Sequence, residues 1–161
     1  MHHLTKEPPM AAIAPTEHPS TRSRMRVGMI LLAAAVAAIL LNAAVAAVAV
    51  AAGAPSGYGP LTPPAYGLFT VLGVGLGWLG WRLVLRHSRD PRRTLSVLVP
   101  IVLVVSFIPD VLLLALRFIP GTTTSAAIAL MVMHVVVVLV AVPAYVLATR
   151  QRTQVRSGSS S

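Results

Sequence analysis

From Val27 to Trp81 the chain carries no charged residue, and a second uncharged stretch runs from Phe118 to Thr149. A helix or sheet at an aqueous surface needs polar residues on its outer face, and neither stretch has enough of them. A bilayer core of about 30 Å is crossed by about 20 apolar residues in a helix, so both stretches are long enough to span. With 56% of residues hydrophobic and 11% charged, the composition excludes disorder as well as a soluble domain, because a disordered chain is polar.

Clusters of Gly, Pro and Thr divide the apolar sequence into four segments. The first covers about 27–52 and ends at Gly53-Ala54-Pro55-Ser56-Gly57-Tyr58-Gly59-Pro60. The second covers about 62–86; Thr62 can cap it, and its first turn tolerates Pro63 and Pro64. The third, about 95–119, follows the loop His87 to Arg93, and the fourth, about 125–148, follows the turn Pro120-Gly121-Thr122-Thr123-Thr124. Membrane strands alternate lipid-facing with lumen-facing residues, whereas Val135-Val136-Val137-Val138-Leu139-Val140 is apolar throughout. The expected fold is all-α: a four-transmembrane-helix bundle over residues 27–149. A disordered basic cytoplasmic tail is expected over 1–26, and a short cytoplasmic tail over 150–161.

Positive charge gives an orientation. Lys6, Arg22, Arg24 and Arg26 precede the first span, Arg82, Arg86, Arg89, Arg92 and Arg93 surround the middle loop, and Arg150, Arg152 and Arg156 follow the last span. By the positive-inside rule both termini and the middle loop are cytoplasmic. Trp78, Trp81 and Tyr145 then fit an inner aromatic belt, and Tyr58 and Tyr66 an outer one. The formal charge of +9 is accounted for by arginines flanking spans, so the expected partners are the bilayer and anionic inner-leaflet lipids, through Arg82, Arg86, Arg89, Arg92 and Arg93, with no nucleic acid. Twelve arginines against one lysine point to GC-rich coding and a bacterial inner membrane. The first apolar run exceeds the 7–15 residues of a signal-peptide core, so it is read as a retained span.

The chain has no cysteine, which removes thiolate metal sites, disulfides and thiol nucleophiles. Gly75-Leu76-Gly77-Trp78-Leu79-Gly80 matches the dinucleotide-binding pattern, but that pattern needs a preceding strand and a following acidic residue, and an apolar span provides neither. Gly73-x-x-x-Gly77 instead has the small-residue spacing that lets membrane helices approach closely. Pro109 and Pro143 are read with these glycines as helix-packing positions.

Asn42 lies in a helical stripe with Ala35, Ala38, Ala46 and Ala49 and should face protein. In the third span Ser106, Asp110 and Arg117 share one face, with Arg117 leaning toward Asp110 or snorkelling to headgroups. His134 is flanked at heptad distance by Ala127 and Ala141. Measured from the outer span ends, Asn42, Asp110 and His134 all lie about 14–16 Å deep. They are expected to form, with Ser106, a mid-membrane polar cluster. One histidine and one aspartate fall short of a metal site, and neither a metal nor another cofactor is expected.

Two functions follow from such a cluster. Interhelical hydrogen bonds hold membrane helices together, which suits a small scaffold or partner-binding module, alone or as a homo-oligomer. An intramembrane carboxylate also marks ion and proton paths, which suits a proton-coupled permease or channel subunit using Asp110 and His134. An enzyme is not expected, because Ser106 is the one candidate nucleophile in the third span and no second carboxylate accompanies it.

Arg92-Arg93 entering the third span, Val105-Ser106-Phe107-Ile108-Pro109, the Thr-rich turn, Leu130-Met131-Val132-Met133-His134 and Val142-Pro143 resemble a family of small bacterial four-helix membrane proteins catalogued as a domain of unknown function. The resemblance covers about Val27 to Arg150. It implies a fold and a membrane address but no reaction. His134 and Pro109 match the family pattern, whereas Asp110 stands where the pattern has a second proline.

Overall fold

The computed structural model describes residues 21–157, with side chains over 23–151. Helices α1 (Thr21–Ala51), α2 (Pro63–His87), α3 (Pro91–Ser106), α4 (Ile108–Leu116) and α5 (Thr124–Ser157) account for nearly all of it, and no strand occurs among the described residues. Four segments have membrane length and hydropathy: Ser23–Ala51, Pro63–His87, Pro91–Leu116 and Thr124–Gln151. The protein is a multi-pass membrane protein of all-α class.

Lipid tails are as apolar as leucine, so burial of apolar surface cannot drive these helices together, and close contact between small residues must do so. The α1–α5 seam is built this way and is the most extensive helix pairing in the molecule. Ala34, Ala35, Ala38, Ala46 and Ala49 of α1 are buried, as are Ala126, Ala127, Ala129, Ala141, Ala144 and Ala148 of α5. One cluster joins Ala46 and Ala49 to Ala126, Ala129, Leu130 and Met133; another includes Ala35, Ala141 and Tyr145. The two helices are therefore antiparallel. Larger residues on their outer faces, such as Leu32, Leu40, Ile128 and Leu139, remain exposed to lipid.

At the Arg-poor end, the Tyr58 hydroxyl lies 3.0 Å from Thr122 Oγ1 and ties the two loops together. Gly121 there has φ +84, a backbone conformation that glycine adopts without strain. Tyr58 is thus a buried loop clamp instead of an outer-belt residue. Thr123 caps α5, its Oγ1 accepting from Ala126 N at 3.2 Å.

Toward the other end, Tyr145 of α5 is also buried and donates its hydroxyl to Val74 O of α2 at 2.6 Å. Trp78 and Trp81 pack on its ring with centroids 5.6 and 5.7 Å away. Trp81 Nε1 donates to Thr149 Oγ1 at 3.2 Å, and Thr149 Oγ1 donates back to Tyr145 O at 2.7 Å. The expected inner aromatic belt is therefore an interhelical clamp, because each polar atom finds a protein partner where lipid offers none.

Several expectations are corrected. The third span is two helices, α3 and α4, meeting at Phe107, and it runs from Pro91 to Leu116 instead of 95–119. Pro109 has no N–H for the Val105 carbonyl and its ring crowds that turn; Phe107 N bonds Val104 O at 3.1 Å, tightening the chain into a break. Helix α1 starts at Thr21, within the expected tail, and α5 continues to Ser157, since arginine is a good helix former. The rest of the expected tails, 1–20 and 158–161, lies outside the described residues.

Candidate functional site at the α4–α5 contact

The break at Phe107 sets the first turn of α4, and Asp110 lies in that turn. His134 sits ten residues into α5, about 15 Å from its start and so near the middle of a 30 Å core. His134 Nδ1 lies 3.2 Å from Asp110 Oδ2. It also lies 2.8 Å from Leu130 O, one turn back on its own helix. A carbonyl oxygen only accepts, so Nδ1 carries a proton and points it at Leu130. Asp110 Oδ2 is close enough for a charge contact but off the N–H line, and it has no aligned hydrogen bond. Phe107 meets the imidazole edge-on, with centroids 6.3 Å apart and planes at 80°.

The two partners differ in cover. The Asp110 side chain is 5% exposed and that of His134 is 40% exposed. With Nδ1–H turned inward, Nε2 is the ring nitrogen left for a partner outside the chain. In the neutral ring Nε2 is a lone-pair acceptor.

Asn42 does not join this pair. Its side chain, 1% exposed, crosses from α1 to α2, where Nδ2 donates to Thr70 Oγ1 at 2.9 Å. Asn42 Oδ1 is buried without a hydrogen bond. Ser106 does not join either: its Oγ donates to Leu103 O at 2.7 Å, a back-bond within α3. The single cluster expected from depth is therefore two separate pairs, Asp110–His134 and Asn42–Thr70. Depth fixed the level of these residues, whereas the azimuth of α5 against α1 and α4 decided which of them meet. Thr70 was missed because a threonine in a Gly-rich apolar helix gives no periodic signal.

Gly73 and Gly77 both face α5. A Cβ on Gly73 would meet Val137 Cγ1 at an ordinary 3.6 Å, but one on Gly77 would lie 2.5 Å from Tyr145 Oη. Gly77 is thus the glycine that this packing requires. Pro109 and Pro143 are exposed, so neither belongs to the buried helix seams. Arg117 closes α4 in the left-handed conformation, φ 48 and ψ 35, and its side chain is exposed. Among the described residues no three metal-ligating side chains come together.

A family model described as a family of unknown function, DUF6069, matches residues 19–151, a range that takes in all four membrane-length helices. The chain belongs to the DUF6069 family. No curated protein and no solved structure matches it. Membership gives this DUF6069 protein a family without a reaction, so its activity has to be argued from the Asp110–His134 contact and the faces around it.

Proposed function

We propose that the protein is a small, non-enzymatic scaffold of the bacterial inner membrane, with both termini cytoplasmic, that assembles through the face carrying His134. The half-exposed imidazole beside a buried carboxylate carries this reading. At mid-depth no water is at hand to satisfy Nε2, so a donor from another helix supplies what lipid cannot. A second copy of the chain is the first candidate for that helix. Ser106, the one candidate nucleophile in the third span, is committed to its own backbone, which favours a scaffold over an enzyme.

The chain lacks cysteine, so single cysteines report contacts cleanly. Introduced at Met131 or Val138, one turn either side of His134, they should cross-link in membranes, whereas a cysteine at the lipid-exposed Leu76 should not. His134→Leu should reduce the product several-fold. Equal cross-linking at all three positions, or no product with itself or any other membrane protein, would overturn the proposal.

The 3.2 Å approach of Asp110 to His134 favours a second reading, a proton-coupled permease or channel subunit. Proton flux into proteoliposomes under an imposed potential, abolished by Asp110→Asn or His134→Ala at matched folding, would put that reading first. Absence of flux in the wild type would remove it.

A further inference from the structure

Below the Arg-rich loop, a shallow, open and mostly apolar groove runs along α3 over Arg93, Thr94, Val97, Leu98 and Ile101. It extends about 12 Å along the helix, from Arg93 at one end to branched apolar side chains at the other, and the Thr94 hydroxyl is committed to Asp90 O at 2.9 Å. No residue of α3 is buried, so this face is covered by something other than the protein's own core.

Charge says what that is. Arg86, Arg89, Arg92 and Arg93 cluster around one carboxylate, Asp90, whose Oδ1 is taken by the Arg93 backbone N–H at 3.2 Å as the cap of α3. Among the described residues no carboxylate forms an ion pair with any of these four arginines. Guanidinium groups at a membrane boundary bind phosphate in a forked, bidentate manner. We infer that the groove holds one anionic phospholipid, its phosphate on Arg93 with Arg92 next to it in the chain, and an acyl chain along Val97, Leu98 and Ile101. A free anion would use the head of this site and leave its apolar floor empty. A neutral lipid would use the floor and leave the arginines unpaired.

The inference needs only the α3 groove and its arginines, so it stands independently of the assembly face at His134. It is tested by native mass spectrometry of the purified protein in detergent, titrated with phosphatidylglycerol, phosphatidylcholine or inorganic phosphate. Phosphatidylglycerol should bind at least tenfold more tightly than phosphatidylcholine. Arg92→Gln with Arg93→Gln should abolish that preference, while Arg24→Gln with Arg26→Gln, an equal loss of charge at exposed positions on α1, should leave it intact. Ile101→Trp, which fills the floor, should weaken both lipids. Equal binding of the two lipids, equal loss in the α1 control, or full displacement by inorganic phosphate would overturn the proposal.

Discussion

The Tyr145 hydroxyl reaches the Val74 carbonyl through space left open by the missing side chain of Gly77. A Cβ at Gly77 would lie 2.5 Å from that oxygen, so Gly77→Ala must displace the ring, break the bond and disturb both tryptophans packed on it. The expected cost is about 1–3 kcal/mol, the usual range for overpacking. Gly75→Ala, with nothing within 4 Å of its Cβ, should be neutral or slightly stabilising. Thermal unfolding in detergent, followed by tryptophan fluorescence, separates the two; equal effects would show that the clamp does not order this end.

The Asn42–Thr70 bond joins α1 to α2 where small residues already bring helices close. A double-mutant cycle with Asn42→Val and Thr70→Val should give a coupling of about 0.6 kcal/mol, and no more than about 1.7, as for hydrogen bonds in other membrane proteins. Thr70→Val should cost more in the wild type than in the Asn42→Val background, since it strands Nδ2 beside an Oδ1 that is already unpaired. A coupling of zero by reversible unfolding would mean that the amide finds another partner.

The span limits were legible because charge and apolar runs are properties of the linear chain; all four spans match the membrane-length segments to within a few residues, though the third is broken at Phe107. Small-residue stripes were legible for the same reason: Ala35, Ala38, Asn42, Ala46 and Ala49 recur at helical spacing, and all are buried. Partner choice was not legible. Asn42 and His134 sit at similar depths, yet one bonds Thr70 and the other approaches Asp110, because rotation of each helix about its axis leaves no trace in hydropathy. Tyr145 misled for a related reason, since an aromatic near an arginine reads as a belt residue whether it faces lipid or a glycine on the next helix.

Tyr58 and Thr122 hold the two Arg-poor loops together. Tyr58→Phe keeps the buried ring and removes one hydrogen bond, so the expected loss is about 1 kcal/mol. Gly121→Ala should cost a similar amount, about 1 kcal/mol, from a positive φ that alanine resists. Limited proteolysis of the loops should accelerate in both variants. A rise confined to Gly121→Ala would place the order of this end in the turn instead of the Tyr58 contact.

Pro109 is exposed, and its effect on the span is expected through the backbone. Pro109→Ala restores an N–H to the Val105 carbonyl and removes the ring that crowds it, which favours one continuous helix across Phe107. Leu98 and Leu116 are exposed on either side of the break, and in a straight helix their backbones would stand about 27 Å apart. Spin labels at these positions should report a longer distance in Pro109→Ala than in the wild type. Straightening also turns Asp110 on its helix and withdraws it from His134, so cross-linking through the His134 face should change in the same variant. An unchanged distance would assign the break to the Phe107 ring packed edge-on against His134, and Phe107→Ala would then be the substitution that straightens the span.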